Sequence, residues 1–468
     1  MSENSPVMNR RLLLSGATFL LAASAAGRFA SAAGRASLAG GLMHEAALRG
    51  ALGADGSVTM PEAAGDGSRR FARVLKEAAA RGRPVFLPPG TYRVSGLDLP
   101  DNTEINGVPG STRIEYTGDG ALFSAAGARR IRLSGITIDG ANRWLADGTG
   151  GLLHFIGVER VEIDNCTILG SARNGIHLEG CGGEIRESAV TGAADAGIYA
   201  VESHDLAIRD NRIEGCGNGG ILVHRYKPGP DGTIVSGNRV TGTLARAGGT
   251  GQNGNGINVF RAANVMITNN MVSGSAFSAI RANSASGVQI TGNQCLRSGE
   301  TAIYAEFAFE GAVISANQVD GAANGISVVN FNEGGRLATV SGNVLRNLTA
   351  PGPYPAADAG FGIGIAAEAD TVISGNVIDT AAKWGLALGW GPYLRNVVAT
   401  GNMVRAAPVG CAVTVAEGAG SALIAENTFA ETKVAGVAGF RWNEQATGEL
   451  AEGGSTFPHL TVERNRLS

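Results

Sequence analysis

The chain has few cysteines and none in a paired motif. It holds five cysteines among 468 residues, and no two of them stand as C-x-x-C. A zinc finger or a dithiol redox centre is therefore not expected, and the odd count argues against a complete disulfide framework. We expect buried, unreactive thiols instead. The five are Cys166, Cys181, Cys216, Cys295 and Cys411.

A strong net charge and long apolar runs are also missing. The chain has 38 basic and 41 acidic residues, so its formal net charge is −3, and no overall field favours nucleic acid or an anionic membrane. Beyond the N-terminal segment no run approaches the roughly 18 apolar residues that span a bilayer. The aspartates are isolated, and the sequence contains neither a phosphate loop nor a metal-ligand cluster. We therefore expect no cofactor, no metal ion and no transmembrane segment in the mature chain.

The first 32 residues have the pattern of an export signal. Arg10 and Arg11 precede an apolar stretch that continues to Ala26, and small residues at positions 30–32 follow, as in a signal peptide. The paired arginines resemble the signal of the twin-arginine translocase, with an ordinary secretory signal as the alternative. We predict a signal peptide at 1–32, a linker at 33–65 and one domain at 66–468, in the periplasm or outside the cell.

Glycine is abundant, at 71 of 468 residues, but it lacks the every-third-residue period of collagen. Many glycines belong to a repeat in which a short apolar stretch ends in asparagine. Successive repeats lie 23 to 38 residues apart, and Ser188, Cys166 and Ile136 occupy the same column upstream. The asparagines are Asn211, Asn238, Asn270, Asn293, Asn317, Asn343, Asn376, Asn402, Asn427 and Asn465.

A second motif, a small residue followed by Gly-Ile-x-apolar, lies between successive asparagines. Examples begin at Asn174, Gly219 and Asn324. Both motifs alternate apolar and variable residues, which is typical of strands, so each repeat has at least two. No helical period continues past the N-terminal region, propeller blades need about 40–45 residues, and a leucine scaffold is absent. These features predict about a dozen coils of roughly two dozen residues.

A short coil that is closed by turns and stacked on its own copies is a parallel β-helix. We predict an all-β, single right-handed parallel β-helix (solenoid) whose coils lie about 4.8 Å apart. The asparagines would then form an internal ladder, and a surface column that binds glycans is the alternative. An amphipathic helix after Asp66 is expected to cap the first coil, before a strand, a tight turn and a strand at 84–95.

Over residues 66–468, which contain these repeats, the chain resembles the pectin-lyase-like superfamily of right-handed β-helices. Residues 87–92, Leu-Pro-Pro-Gly-Thr-Tyr, resemble the first strand of its glycan-active members. Arg10 and Arg11 with the Gly-Asn repeat resemble a family of twin-arginine-translocated repetitive β-helix proteins. The superfamily includes polysaccharide lyases, glycoside hydrolases, uronate epimerases and non-catalytic spikes and adhesins, so the resemblance leaves the activity open. The Gly-His-Gly signature of polygalacturonases and the Asp-Pro-His-Asp segment of alginate epimerases are both absent.

The Gly-Ile strands also predict a site. If their isoleucines point inward, the next residue points outward, and so does the residue two positions further on. Insertions at 244–254 and 350–360 precede these strands, and insertions at 226–232, 331–336 and 391–395 follow them, which predicts a groove on this face. The candidate catalytic residues are His177, Tyr199, His224, Arg281 and Tyr304. The candidate substrate-binding residues are Glu179, Arg225, Asn258, Phe260, Arg261, Asn283, Glu306, Asn330 and Trp390.

Two mechanisms are open at this face, and the first is that of a uronate lyase or epimerase. Arg281 would neutralise the uronate carboxylate. Tyr304 or Tyr199 would donate a proton. A histidine, His224 or His177, would act as the base.

The second mechanism is hydrolysis, which needs two carboxylates. Glu179 with Glu202, or Glu306 with an acidic neighbour, are the candidates. We therefore expect an exported carbohydrate-active protein that binds an acidic or neutral polysaccharide, with cleavage or epimerisation as a further step. The alternative is a non-catalytic β-helix that serves as a binding or surface-interaction module of the cell envelope.

Overall fold

The chain folds as an all-β, right-handed parallel solenoid of about 15 turns with one helix near its N-terminus. The computed structural model describes residues 57–60, 65–118, 120–354, 360–452 and 457–468. The expected signal peptide and most of the expected linker lie outside these residues. Within the linker, Val58–Thr59 already pairs in parallel with Val85–Phe86, so the strand ladder begins upstream of residue 66.

Each coil contributes strands to three parallel ladders, where the sequence indicated at least two. The first ladder precedes the asparagine column and consists of Val58–Thr59, Val85–Phe86, Thr103–Asn106, Arg130–Ser134, Arg160–Asp164, Gly183–Arg186, Leu206–Arg209, Ile234–Ser236, Met266–Thr268, Val288–Thr291, Glu310–Ser315, Arg336–Ser341, Thr371–Ser374, Val397–Thr400, Ala422–Ala425 and Leu460–Glu463. The second ladder follows that column and consists of Gly90–Val94, Thr112–Tyr116, Thr137–Asp139, Thr167–Leu169, Ala189–Thr191, Arg212–Glu214, Arg239–Thr241, Met271–Ser273, the first halves of Gln294–Glu306 and Gln318–Val328, Val344–Leu348, Val377–Ala381, Met403–Arg405, Thr428–Ala430 and Arg466–Leu467. The third ladder carries the Gly-Ile motif and consists of Leu97–Asp98, Phe123–Ala126, Gly151–Ile156, Asn174–Glu179, Ala196–Val201, Gly219–Pro230, Asn255–Ala263, Ile280–Asn283, the second halves of Gln294–Glu306 and Gln318–Val328, Ile363–Ala367, Trp384–Leu388, Val409–Thr414 and Ala435–Arg441.

The first ladder has 16 strands, which is more than the dozen repeats expected from the sequence. The additional coils lie at the N-terminal end, where Val58–Thr59, Val85–Phe86 and Thr103–Asn106 stack before the coil of Ile136. The series of repeats in the sequence begins at Ile136, so it does not include these three coils.

The interior asparagines are hydrogen-bonded in a continuous series. Asn293 shows the pattern: its Nδ2 donates to Asn317 Oδ1 at 3.0 Å and to the carbonyl oxygen of Ile267 at 2.9 Å. Its Oδ1 accepts hydrogen bonds from both the backbone N–H and the Nδ2 of Asn270, each at 3.0 Å. Each side chain therefore satisfies polar groups of the coils on both sides, as buried polar groups must.

This asparagine ladder runs from Asn211 to Asn465. Ser188 and Cys166 continue the column upstream. The backbone N–H of Ser188 donates to Asn211 Oδ1, and the backbone N–H of Cys166 donates to the hydroxyl oxygen of Ser188. The asparagines from Asn211 to Asn427 are at most 2% exposed. The predicted internal ladder is thus confirmed, and the alternative of a glycan-binding surface column is wrong.

Left-handed backbone geometry precedes the asparagines and accounts for the frequent Gly-Asn pairs. The residue before the asparagine has φ of 70° at Gly292 and 68° at Gly237, and Asn269 adopts 57°. Glycine adopts this conformation without steric cost, and asparagine tolerates it better than most residues. The turn between the first and second ladders therefore favours glycine.

The glycine of the Gly-Ile motif serves a different purpose, which is close packing. A Cβ atom at Gly220 would lie 2.3 Å from the carbonyl oxygen of Gly256 and 2.5 Å from a methyl group of Val240. The backbone at Gly220 therefore packs against the next strand of the third ladder and against the second ladder at distances that only glycine permits. Ile221, the next residue, is fully buried, as predicted.

One helix, α1 at Ser68–Ala80, packs against the first coils. The ring of its buried Phe71 lies 6.5 Å from both Tyr92 and Phe123. The carboxylate of Asp66 accepts the backbone N–H of the first helical residue at 2.8 Å. The predicted amphipathic helix is confirmed, and so is the strand, turn and strand that follow it.

The five cysteines are free and buried, as expected. Burial raises the pKa of the Cys166 and Cys295 thiols to about 12 and that of Cys216 to about 11. Because the thiolate is the reactive form, these side chains are unreactive in the folded protein. Across the described ranges, no helix has the length and apolar character that crossing a membrane requires.

Replacing Asn293 by alanine should lower the free energy of unfolding by about 3 kcal/mol. The substitution leaves two donors of Asn270 and one buried carbonyl without partners, and each orphaned group costs about 1–3 kcal/mol before relaxation. Urea titration followed by far-ultraviolet circular dichroism measures the change. Gln289→Ala, an exposed change on a neighbouring strand, should stay within about 0.5 kcal/mol. Equal shifts for the two variants would contradict the role of the ladder.

Candidate functional site

The outward column of the third ladder places the predicted site residues in a row. Its register runs His154, His177, Tyr199, Leu222, Asn258, Arg281, Tyr304, Ser327, Ala366, Ala387, Ala412 and Ala438. The second column runs Glu179, Val201, His224, Phe260, Asn283 and Glu306.

The five candidate catalytic residues do not meet in one place. His177 and Tyr304 are separated by five strand steps, or about 24 Å at about 4.8 Å per step. The residues instead divide between two regions. His177, Tyr199 and His224 belong to an upstream row of rings, whereas Arg281 and Tyr304 lie beside a pocket further along.

The upstream row consists of five rings in edge-to-face contact. Successive centroids lie 4.8 Å apart for His154 and His177, then 5.0 Å to Tyr199, 5.2 Å to His224 and 5.7 Å to Phe260. Edge-to-face pairs of this kind stabilise one another. We name these five residues the ring row.

The histidines of the ring row are poor proton acceptors. Burial lowers the pKa of His224 to about 4, and burial together with the charge of His154 lowers that of His177 to about 4. Burial also lowers the pKa of His154. All three imidazoles are therefore neutral at neutral pH, and packing accounts for their contacts.

Neighbouring groups already hold the polar side chains beside the ring row. Arg225 forms an ion pair with Glu202 at 2.6 Å, and Arg261 lies 4.6 Å from the centre of the Phe260 ring. Glu179 accepts a hydrogen bond from the Tyr226 hydroxyl at 3.1 Å. The proposed carboxylate pair of Glu179 and Glu202 is thus already bound by two consecutive residues, Arg225 and Tyr226, of the strand Gly219–Pro230.

Arg281 is enclosed by carboxylates. Its Nε lies 2.6 Å from Glu306, and its Nη1 lies 3.5 Å from Glu300. Asn283 donates to Glu306 at 2.8 Å, and both glutamates are at most 3% exposed. The guanidinium that the sequence assigned to a uronate carboxylate is therefore already neutralised within the protein.

A pocket of about 360 Å³ begins beside this buried pair. Its floor consists of Tyr304 followed by Ser327, Ala366 and Ala387 of the outward column. The bulky residues of the ring row give way here to small side chains, so the surface of the ladder is lower. Such a volume falls within the range of about 300–1,000 Å³ that is usual for small-ligand pockets.

Aromatic side chains form the walls of the pocket. On one side, Tyr354 reaches back from its loop to donate its hydroxyl to Glu300, and its ring lies 5.6 Å from Phe361. Trp390 stands on the other side, after the strand, and Trp384 closes the far end. The predicted loops on both sides of the third ladder therefore do border a concave surface.

Glu368 lies at the base of the Trp390 side, directly after the strand Ile363–Ala367. Its Oε2 accepts the backbone N–H of Phe331 at 2.6 Å. Burial raises the pKa of this carboxyl group to about 7, although backbone N–H groups of Phe331 and Asn330 oppose the shift. Glu368 therefore holds a proton for much of the time at neutral pH.

Tyr304, Asn330 and Trp390 are the residues named from the sequence that line this pocket. Glu300, Tyr354, Phe361, Glu368 and Trp384 were not identified in advance. Glu300 directly precedes Thr301-Ala-Ile, the counterpart of the Gly-Ile motif in its coil. Glu368 belongs to the second outward column, in a coil after the last one for which that column predicted site residues. Tyr354 lies in the insertion at 350–360 that the repeat spacing reveals. Nothing in the sequence indicates that its side chain contacts Glu300 of an earlier coil.

Comparisons with known proteins agree with the fold. A family model described as "Right handed beta helix region" matches residues 134–345 and 229–429, which together exceed half of the chain. The pre-neck appendage protein of Bacillus phage phi29 is 28% identical over a match covering 36% of this chain and 21% of that protein. This chain thus spans about a fifth of the length of that relative.

Two solved structures illustrate the likeness. The pre-mature gene product 12 of bacteriophage phi29 has a TM-score of 0.50 and 16% identity, over 91% of this chain and 60% of that one. The A-module of the Azotobacter vinelandii mannuronan C-5 epimerase AlgE6 has a TM-score of 0.43 and 19% identity, over 87% of this chain and 96% of that one. At 16% identity the likeness to gene product 12 shows the fold alone.

His224→Phe should flatten the fall in melting temperature between pH 6.5 and pH 4. The unfolded histidine binds a proton near pH 6.5 but the folded one only near pH 4, so the unfolded state binds more protons in this window and stability falls as the pH is lowered. Phenylalanine keeps the ring contacts and does not titrate. Thermal unfolding across this range measures the slope.

The matched control is His204→Phe, because His204 is exposed and lies outside the ring row. It should retain the wild-type slope. If both variants have the slope of the wild type, the buried imidazole of His224 does not contribute to the acid sensitivity of the fold.

Proposed function

Because the chain belongs to the right-handed β-helix family, whose coils present long faces of stacked strands, we propose that it binds a polysaccharide along its third ladder. The binding centre is the pocket between Tyr354 and Trp390. The observation that carries this proposal is the change in the outward column from bulky rings to Ser327, Ala366 and Ala387 between two aromatic walls. Sugar rings are broad and amphipathic, and a trough with aromatic sides and a few polar groups suits them.

The charges of the pocket favour a neutral polysaccharide over a polyuronate. Of the pocket-lining residues that the structure describes, none is arginine or lysine, whereas Glu300 and Glu368 are both present. Arg281, the nearest guanidinium, is paired with Glu306 and Glu300. A chain of uronate carboxylates would meet negative charge without a compensating cation, which is costly in a partly buried site. A lyase or epimerase acting on uronates is therefore a poor fit.

Export forms part of the same proposal. Arg10 and Arg11 with the following apolar stretch favour passage through the twin-arginine translocase and a final location in the periplasm or outside the cell. Polysaccharides are found there, on the surface of the cell or of its neighbours. A non-catalytic envelope module would use the same pocket for attachment, so binding is common to both roles.

Trp390→Ala should weaken binding of a neutral polysaccharide about tenfold. Trp390 is partly exposed on the pocket wall, and loss of a central aromatic contact typically costs about 1–2 kcal/mol or more. Affinity electrophoresis in gels with β-1,3-glucan, xylan, galactomannan, polygalacturonate or alginate measures retardation of the wild type and the variant. We expect retardation by a neutral polymer.

Met403→Ala is the matched control, because Met403 is 43% exposed on the second ladder. It should bind like the wild type, and circular dichroism should show that both variants are folded. Retardation by the acidic polymers alone would overturn the preference for neutral chains. If the Trp390→Ala variant binds as well as the wild type, the binding site does not include this pocket wall.

A further inference from the structure

We propose that the pocket recognises two adjacent hydroxyl groups of a neutral sugar ring, with Glu368 and Asn330 as their hydrogen-bonding partners and Trp390 as the surface on which the ring lies. This inference rests on the proposed function, because it names the sugar chemistry that the same pocket selects. The ligand is then a neutral polysaccharide whose residues have free hydroxyl groups at both C2 and C3. The three side chains line one cavity and lie on the same side of it, after the third-ladder strands.

Glu368 is placed to accept a hydrogen bond from a ligand. It follows the last residue of the strand Ile363–Ala367, and its Oε2 accepts the backbone N–H of Phe331 at 2.6 Å. The groups of the described residues that bond to this carboxyl group are backbone N–H groups, those of Phe331 and Asn330. Because a carboxylate accepts about four hydrogen bonds, acceptor capacity remains for hydroxyl groups that enter the pocket.

Asn330 is placed to donate one. Its backbone has a φ of 70°, and its carbonyl oxygen accepts the N–H groups of Glu333 and Gly335 at 2.9 and 3.0 Å, which fixes the residue at the start of a turn. Its side-chain Oδ1 accepts the backbone N–H of Phe307 at 3.2 Å. The amide nitrogen points the other way from that oxygen and carries two N–H groups. Asn330 therefore offers a donor beside the acceptor of Glu368.

A donor beside an acceptor matches two hydroxyl groups on neighbouring carbon atoms. Each hydroxyl donates one hydrogen bond and accepts up to two, so one hydroxyl can donate to Glu368 while its neighbour accepts from Asn330. The two side chains stand close together, because the N–H that Glu368 holds belongs to the residue that follows Asn330. Hydroxyl groups on carbon atoms that are not neighbours diverge, and one of the two bonds is then lost.

Trp390 supplies a fixed aromatic surface at the same place. Its backbone exchanges two hydrogen bonds with Tyr393, at 3.2 and 3.0 Å, and its ring is held edge to face by Trp442 with the centroids 5.5 Å apart. The small side chains of Ala366 and Ala387 leave room in front of it. A sugar that lies with its C–H face on such a ring directs its hydroxyl groups sideways, toward the polar pair.

The opposite wall offers no comparable polar pair. Glu300 is 2% exposed, accepts the Tyr354 hydroxyl and lies 3.5 Å from the guanidinium of Arg281. That carboxylate is therefore occupied by groups of the protein itself. Tyr354 and Phe361 present ring surface to the pocket instead. Selection among neutral sugars thus falls to Glu368 and Asn330.

The test is isothermal titration calorimetry of the full chain with hexasaccharides that differ in linkage. Cellohexaose, xylohexaose and mannohexaose are 1,4-linked and keep the C2 and C3 hydroxyl groups free. Laminarihexaose has the same sugar and anomeric configuration as cellohexaose, but its C3 oxygen forms the linkage. Burial raises the pKa of Glu368 to about 7, so titration at pH 8 keeps this carboxyl group ionised. We expect the tightest 1,4-linked hexamer to bind about tenfold more tightly than laminarihexaose, since one hydrogen bond to a charged group is lost.

Two variants of nearly unchanged size test the polar pair directly. Glu368→Gln replaces the charged acceptor, and Asn330→Asp removes the donor but keeps an oxygen for the N–H of Phe307 and tolerates the left-handed backbone. Each should weaken binding of the tightest hexamer about tenfold. Glu333→Gln is the matched control, because Glu333 is an exposed carboxylate in the same turn, Phe331–Glu333. It should bind like the wild type, and circular dichroism should show that all three variants are folded.

The outcomes separate this inference from the function on which it rests. If laminarihexaose binds as tightly as the best 1,4-linked hexamer, recognition of adjacent hydroxyl groups is wrong and binding of a neutral polysaccharide stands. The same conclusion follows if Glu368→Gln and Asn330→Asp both bind like the wild type while Trp390→Ala does not. If neither a hexamer nor a neutral polymer binds, the proposed function itself fails.

Discussion

The stacking of one coil on the next depends on the asparagine ladder. Parallel strands supply evenly spaced backbone hydrogen bonds, but these bonds alone do not determine which residue of one coil lies over which residue of the next. The side chain of each asparagine bonds forward to the next amide and backward to a carbonyl, as at Asn293. Because both contacts are buried, a slip by one residue would leave several polar groups without partners, at a cost comparable to the whole stability of many domains.

Because the coils stack in a fixed register, equivalent residues of successive repeats form a continuous row on the surface. Along the outward face of the third ladder, the side chains are large from His154 to Phe260 and small from Ser327 onward. The same backbone therefore forms a filled row in one region and a trough in another. The loops before and after each strand supply the walls, and Tyr354 contacts Glu300 and Phe277 of earlier coils. The chemistry of the pocket thus depends on side-chain size as much as on charged groups.

The sequence predicted the repeating parts of the molecule and much less of its site. The asparagine spacing and the Gly-Ile motif predicted the interior ladder and the outward columns because both motifs recur in most coils, and the longer spacings predicted the bordering loops. The three-residue strands of the second ladder are too short to show a period, and the first coils lack the asparagine marker. At the site, Arg281 was an evident cation in the sequence, but its neutralisation by Glu300 and Glu306 depends on contacts between coils. The reach of Tyr354 is likewise a property of the folded loop alone.

The unequal distances between asparagines have an evolutionary consequence. Neighbouring asparagines bond equally well whether 23 or 38 residues separate them, because the extra residues lie outside the stacked strands of the coil, as the antiparallel strand Glu444–Glu449 does. Lengthening a surface loop costs only about 0.6 kcal/mol per doubling. Selection can therefore insert, lengthen or exchange the segments around the trough while the core stays intact, so related solenoids can acquire new ligand preferences without refolding.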